Sequence, residues 1–158
     1  SNCTEYTDVF QYLLQIPEVN VNYQAIEGYT ALHWASVEHT KLLLARSDLD
    51  LNIKTKSGDT PLLFTLKITS PDPEKWKLLL SHPNIDINAQ DNRGWTFFHK
   101  VLEQFHRPGR FELIDLLLAD PRVDSTVTDK DGYPPLFRLS TYLYSPKWLN
   151  HPKIDVNF

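Results

Sequence analysis

The sequence predicts an all-α solenoid of helix–turn–helix units joined by β-turn or hairpin-like loops. Three observations predict it. An apolar run ending in Leu precedes a turn five times: FQYLL, TKLLL, WKLLL, IDLLL and PKWL. From the last Leu of each run to an Asn slot is eight residues: Leu14 to Asn22, Leu44 to Asn52, Leu80 to Asn88, Leu118 to Thr126 and Leu149 to Asn157. From that slot to a Gly is six residues in the four complete copies, at Gly28, Gly58, Gly94 and Gly132. Fixed distances of this kind mark one supersecondary unit stacked repeatedly on its neighbours.

Residues 1–22 read as a leading half repeat, a B-type helix (TDVFQYLL) and its turn. Four repeats follow, at 23–52, 53–88, 89–126 and 127–157, and the chain ends within the next turn. The Gly-to-Gly periods are 30, 36 and 38, so the variation lies in and between the two helices. Two residues after each Gly stand Thr30, Thr60, Thr96 and Pro134. The threonines are placed as N-caps, whose hydroxyl accepts an orphan backbone N–H. Pro61 and Pro135 fall at the first helical position, where a missing N–H costs nothing. Pro134 removes the cap hydroxyl, so the fourth helix start should be weaker by about 0.5–2 kcal/mol. The Gly slot calls for positive φ in a tight turn. Helix A should carry Leu32 and Ala35, Leu62 and Thr65, Phe98 and Val101, and Leu136 and Leu139, each pair on one face. Helix B carries the Leu runs, with start signals at Pro71–Glu74 and Ser145–Lys147. The longest spacer, Leu102–Leu113, contains Pro108-Gly109 and reads as an irregular connection.

The post-Gly strings are TALHWA, TPLLFT, TFFHKV and PPLFRL. With the turn register they resemble the ankyrin repeat and its T-P-L-H-x-A signature, over essentially the whole chain. The resemblance implies protein–protein recognition, with the partner meeting the turn tips and the inner face of helix A. Carried slot by slot, it selects Tyr29, Asp59, Trp95 and Tyr133 after the glycines. It also selects Lys56, Asn92, Arg93 and Lys130 at the tips and Tyr142 at a helix A end. Tyr, Trp and Arg are favoured interface anchors. The alternative is that these aromatics pack on the neighbouring turn as amphipathic cover. Asn52 and Asn88 each have Leu eight before and Asp two before, similar to ankyrin asparagines modified by a 2-oxoglutarate-dependent asparaginyl hydroxylase. That would make the chain a substrate.

Other chemistry finds little support. The net charge of −4 argues against nucleic acid as a main partner. No apolar run approaches the roughly 20 residues of a membrane span. Cys3 is the single cysteine, which suits a reducing, intracellular compartment, the cytoplasm first. No phosphate loop, dinucleotide fingerprint or metal-site spacing occurs, so no cofactor or metal is expected. His33 and His99 sit in the signature slot and read as structural, and His82 and His151 read as turn residues. Asp50, Asp86, Asp124 and Asp155 recur two before the Asn slot, which points to turn hydrogen bonds. Catalytic carboxylates share one cleft, whereas repeat-equivalent residues form an open row. We therefore expect no enzyme within these residues, and a monomeric scaffold or adaptor that binds another protein. The alternative is a recognition segment of a multidomain enzyme or host-targeting bacterial effector, acting in a host cytosol. The chain contains no Met, Ser1-Asn2 reads as a possible expression scar, and neither end shows a polar capping repeat, so we expect part of a longer array.

Overall fold

The structure, a computed structural model, describes residues 2–68, 73–104 and 109–138. Its chain divides into two compact units, Ser1–Asp86 and Ile87–Phe158. Secondary structure among the described residues is helical, with no strand.

The first unit holds α1 (Asn2–Leu14), α2 (Ala31–Trp34), α3 (Val37–Leu44), α4 (Pro61–Phe64) and α5 (Pro73–Ser81). α1, α3 and α5 are the B helices, and α2 and α4 are the A helices. Like packs on like: α1 against α3, α3 against α5, and α2 against α4, with α2–α3 and α4–α5 closing each repeat. Leu32, Leu43, Leu51, Leu62, Leu63, Leu66, Trp76 and Leu79 are buried between them. Each such side chain contributes roughly 1.5–3 kcal/mol by leaving water. No single repeat could bury these residues alone.

The 30-residue period of the first repeat has a local cause. The sequence places Ala35 in helix A, but α2 ends at Trp34 and Ala35 turns extended with ψ of 135°. Ser36 then starts α3 at once, its hydroxyl accepting from His39 N at 3.2 Å. Thr65 likewise lies just beyond α4, and its hydroxyl donates back to Leu62 O at 2.7 Å. At the far end of α1, Arg46 donates from one guanidinium nitrogen to Leu14 O (2.8 Å) and Ile16 O (3.3 Å). A cation there satisfies carbonyls that the helix leaves open.

The second unit holds α6 (Phe97–Glu103), α7 (Arg110–Ala119) and a 3₁₀ turn, Pro135–Arg138. α6 packs on both. Phe97, Val101, Leu102, Leu113, Ile114, Leu117 and Leu118 form its core. Where the other copies open helix A with an α-helical turn, the fourth, with Pro134 in the cap slot, has a 3₁₀ turn closed by Phe137 N donating to Pro134 O at 3.0 Å. Gly109, with φ of 78°, precedes α7; of the long spacer Leu102–Leu113, residues 102–103 and 110–113 are helical, and 105–108 lie outside the described residues. Leu139, Tyr142 and the second start signal (145–147) lie outside the described residues.

Candidate functional site

The turns are built alike. The residue three before the Gly closes a ring with the residue after it: Ala25 N donates to Tyr29 O, Thr55 N to Asp59 O, Asp91 N to Trp95 O and Asp129 N to Tyr133 O, at 2.8–3.0 Å. The Gly N–H donates back into the same ring in every copy. All four glycines have φ of 81–84°. Asp91 and Asp129 brace their turns further, each Oδ1 accepting two backbone N–H groups at 2.8–3.0 Å. The tips are therefore rigid platforms from which side chains project.

Side chains tie each turn to the next. Asn22 donates its amide to Asp48 O and accepts from Asp50 N. Asn52 does the same with Asn84 O and Asp86 N, and Asn88 with Arg122 O and Asp124 N, all at 2.7–2.9 Å. The slot is a two-ended clamp, which explains why its spacing is fixed. Gln24 and Gln90 add a second rung, each donating to its own Gly carbonyl and to the next turn. Asp50 and Asp124 accept the slot residue's own N–H at 2.8 Å, a turn role.

The signature histidines are bridges. His33 Nδ1 accepts from Thr30 N at 3.1 Å, so Nε2 carries the proton and donates to Asp59 O at 3.1 Å. His99 repeats this with Thr96 N and Tyr133 O. Burial pushes the His33 pKa down and the Lys75 ammonium adds to this, against the Asp59 hydrogen bond that works to raise it. The threonine caps act as the sequence implies at Thr60 and Thr96, whose hydroxyls accept from Leu63 N (3.3 Å) and His99 N (3.4 Å). At Thr30 the hydroxyl meets His33 Nδ1 instead, at 3.0 Å.

Three buried charged residues, Lys75, Asp91 and Lys100, were not singled out in the sequence. Lys75 of α5 is 5% exposed and reaches back across the repeat, donating to His33 O (3.0 Å) and Ala35 O (2.6 Å) at the end of α2. Burial pushes its pKa down to about 8. Asp91 and Lys100 form a buried ion pair at 2.8 Å. Burial works to raise the Asp91 pKa, but Lys100 and the N–H groups of Trp95 and Arg93 outweigh it and hold the carboxyl below its ordinary value.

A family model matches the sequence that builds the first part of this arrangement. The model, described as ankyrin repeats in three copies, fits residues 2–91, more than half of the chain. The chain belongs to the ankyrin repeat family. Rabankyrin-5 of Homo sapiens is 28% identical over 121 residues, which is 74% of this chain and 10% of that protein. The chain thus spans about a tenth of that relative's length. Ankyrin repeats are generally protein–protein interaction modules and are typically non-catalytic. Among the described residues no helix is long and apolar enough to cross a membrane.

On this ankyrin framework the candidate contact residues separate. Lys56, Asn92, Arg93, Lys130 and Tyr133 are exposed at the tips. Tyr29 is half-buried, its ring against His33, Trp34 and Phe64 at centroid distances of 5.1–5.6 Å. Asp59 and Trp95 are not surface residues: they are 1% and 7% exposed. Asp59 lies in its own turn, accepting from Ser57 Oγ and Lys67 Nζ. Trp95 is covered on one side by the Arg93 guanidinium, 4.9 Å from the ring centroid. The amphipathic-cover alternative therefore describes Trp95, and a charged turn brace describes Asp59. Asn52 and Asn88 are half-buried, with both ends of each carboxamide engaged.

The first unit also carries a groove of about 550 Å³ lined by Phe10, Leu13, Val21, Tyr23, Ile26 and Trp34, among others. Its origin lies in the repeat. Trp34 is 66% exposed, whereas Phe64, thirty residues on in the same slot, is buried under Tyr29 and Trp34. The groove thus includes, on the first repeat, the slot that in the second repeat is buried against the first.

Proposed function

We propose that the chain is a protein-recognition module, a scaffold or adaptor, that engages its partner through the exposed turn tips and the adjoining ends of the A helices. The observation that carries this reading is the exposure of the turn-tip side chains within each unit, Lys56 in the first and Asn92, Arg93, Lys130 and Tyr133 in the second. These side chains project from turns locked by backbone rings and by Asn and Gln clamps, so little conformational entropy remains to be lost when a partner docks. Arg and Tyr are the residue types that most often dominate interface energetics. Affinity capture with mass spectrometry tests the reading. The parent chain should retain a specific protein that the combined Arg93→Ala, Lys130→Ala and Tyr133→Ala variant loses, with helical circular dichroism preserved in both. A partner retained equally by the variant would remove the tips from the account.

Asn52 and Asn88 are proposed in addition as acceptors for asparaginyl hydroxylation. Incubation with such a hydroxylase and 2-oxoglutarate should add one oxygen to a peptide containing either residue. No mass gain would remove this proposal and leave the recognition reading untouched.

A further inference from the structure

The repeat register places two pairs of side chains in equivalent positions. Glu27 and Arg93 each stand immediately before the Gly of their own turn, Gly28 and Gly94. Lys56 and Lys130 each stand two before the Gly of the following turn, Gly58 and Gly132. The same backbone bond joins each pair: Lys56 N donates to Glu27 O at 2.9 Å, and Lys130 N donates to Arg93 O at 3.1 Å. The backbone thus holds the members of each pair side by side.

The charges differ. In the first unit Lys56 Nζ meets Glu27 Oε1 at 3.1 Å and the pair is neutral. In the second unit the acid's position is taken by Arg93, so the two residues joined by this backbone bond are both cationic. Both are exposed, and among the described residues neither side chain meets a carboxylate. The guanidinium is held over the Trp95 ring. Like charges on backbone-paired residues repel, and an anion between them removes the repulsion. Later in the turn that carries Lys130, Tyr133 and Phe137 stack with centroids 4.4 Å apart and planes 17° apart. They are 41% and 55% exposed. Asp131 is the neighbouring acid in sequence.

We propose that Arg93 and Lys130 form a receptor for a carboxylate on an acidic segment of the partner protein, with an apolar residue of that segment resting on Tyr133 and Phe137. This rests on the recognition reading above and names the chemistry of the partner. A guanidinium and an ammonium side by side suit a carboxylate, the first by its planar donor fork and the second as a point charge. An exposed aromatic pair beside them supplies the apolar anchor that fixes register.

Fluorescence anisotropy with a labelled octapeptide alternating Glu and Phe, and with its counterpart carrying Gln for Glu, tests the proposal at low salt (~50 mM). The acidic peptide should bind about tenfold or more tightly than the neutral one. Arg93→Glu should weaken acidic-peptide binding by about tenfold or more. Lys130→Gln should weaken binding without altering the fold, and Lys41→Gln, on the B helix α3, should leave binding unchanged. Equal binding of the two peptides, or parent-like binding by Arg93→Glu and Lys130→Gln, overturns the proposal. Displacement of the peptide by an equal concentration of inorganic phosphate reduces the site to a general anion site and overturns the peptide assignment. A captured partner protein retained equally by the parent and Arg93→Glu overturns this inference alone. Failure of the parent to capture any partner overturns the recognition reading, and peptide binding is scored separately.

Discussion

Gly94→Ala and Gly132→Ala form a matched pair that tests whether the turn ladder carries stability. Both glycines sit at nearly the same left-handed φ, 81° and 84°. Placing Ala there costs about 1–2 kcal/mol of backbone strain, partly offset by ~0.4–1 kcal/mol from a less flexible unfolded chain. Gly132→Ala should therefore cost about 1 kcal/mol, since no neighbouring atom lies within 4 Å of the added methyl group among the described residues. At Gly94 the methyl group would stand 2.7 Å from Lys130 N and 3.0 Å from Asp129 backbone carbons. Backbone cannot step aside as a flexible side chain would. The Lys130 N–H bond to Arg93 O, worth about 1 kcal/mol net, would be displaced, and the close contact adds to this. We expect Gly94→Ala to cost about 2–4 kcal/mol. Equilibrium urea unfolding followed by circular dichroism measures both. If Gly94→Ala costs no more than Gly132→Ala, the close approach of neighbouring turns does not stabilise the fold and the ladder argument fails.

Three further outcomes follow from the buried polar groups. Lys100→Met strips Asp91 of its cation in a buried site and should destabilise the fold by about 3–5 kcal/mol in urea unfolding. A cost within error of zero would mean that the pair is solvated. The Lys75 pKa falls from 10.5 to about 8 on folding, so its contribution to stability should rise as pH climbs from 8 toward 10.5, by up to about 3 kcal/mol, and stay flat below 8. Lys75→Met should remove that rise from the urea midpoint, and persistence of the rise in the variant would assign it elsewhere. The His33 pKa lies below its ordinary 6.5, so the neutral ring's contribution is complete above 6.5 and is lost as pH falls through the lowered value. His33→Leu, which copies Leu63 in the same slot, should be less acid-sensitive than the parent, and equal acid sensitivity would contradict the bridge.

The repeat frame was legible because its determinants are local. A Gly at φ near 80°, a Thr cap and a Leu run leave marks at fixed spacing, and the structure places them as expected. What those marks reach was less legible. Asn52 announces a slot, but its clamp joins Asn84 O and Asp86 N more than thirty residues away. Lys75 reads as an ordinary helix lysine, and only the approach of the α2 carbonyls shows why it is buried. Trp95 and Tyr133 share a slot and an aromatic character, yet the first is covered and the second open. A slot fixes where a side chain leaves the backbone, whereas burial depends on which neighbour packs over it. Of the contact residues expected from the sequence, Lys56, Asn92, Arg93, Lys130 and Tyr133 are the exposed ones, and their contact role is the proposal made above.

The most direct test of the recognition account is hydrogen exchange on the chain with and without its captured partner. The account predicts slowed exchange in peptides that carry the tips, those containing Lys56, Arg93 and Lys130–Tyr133. The B-helix segments Lys41–Leu44 and Leu113–Leu118 should stay unchanged. Slowed exchange confined to those B-helix segments, with the tips unaffected, would contradict it.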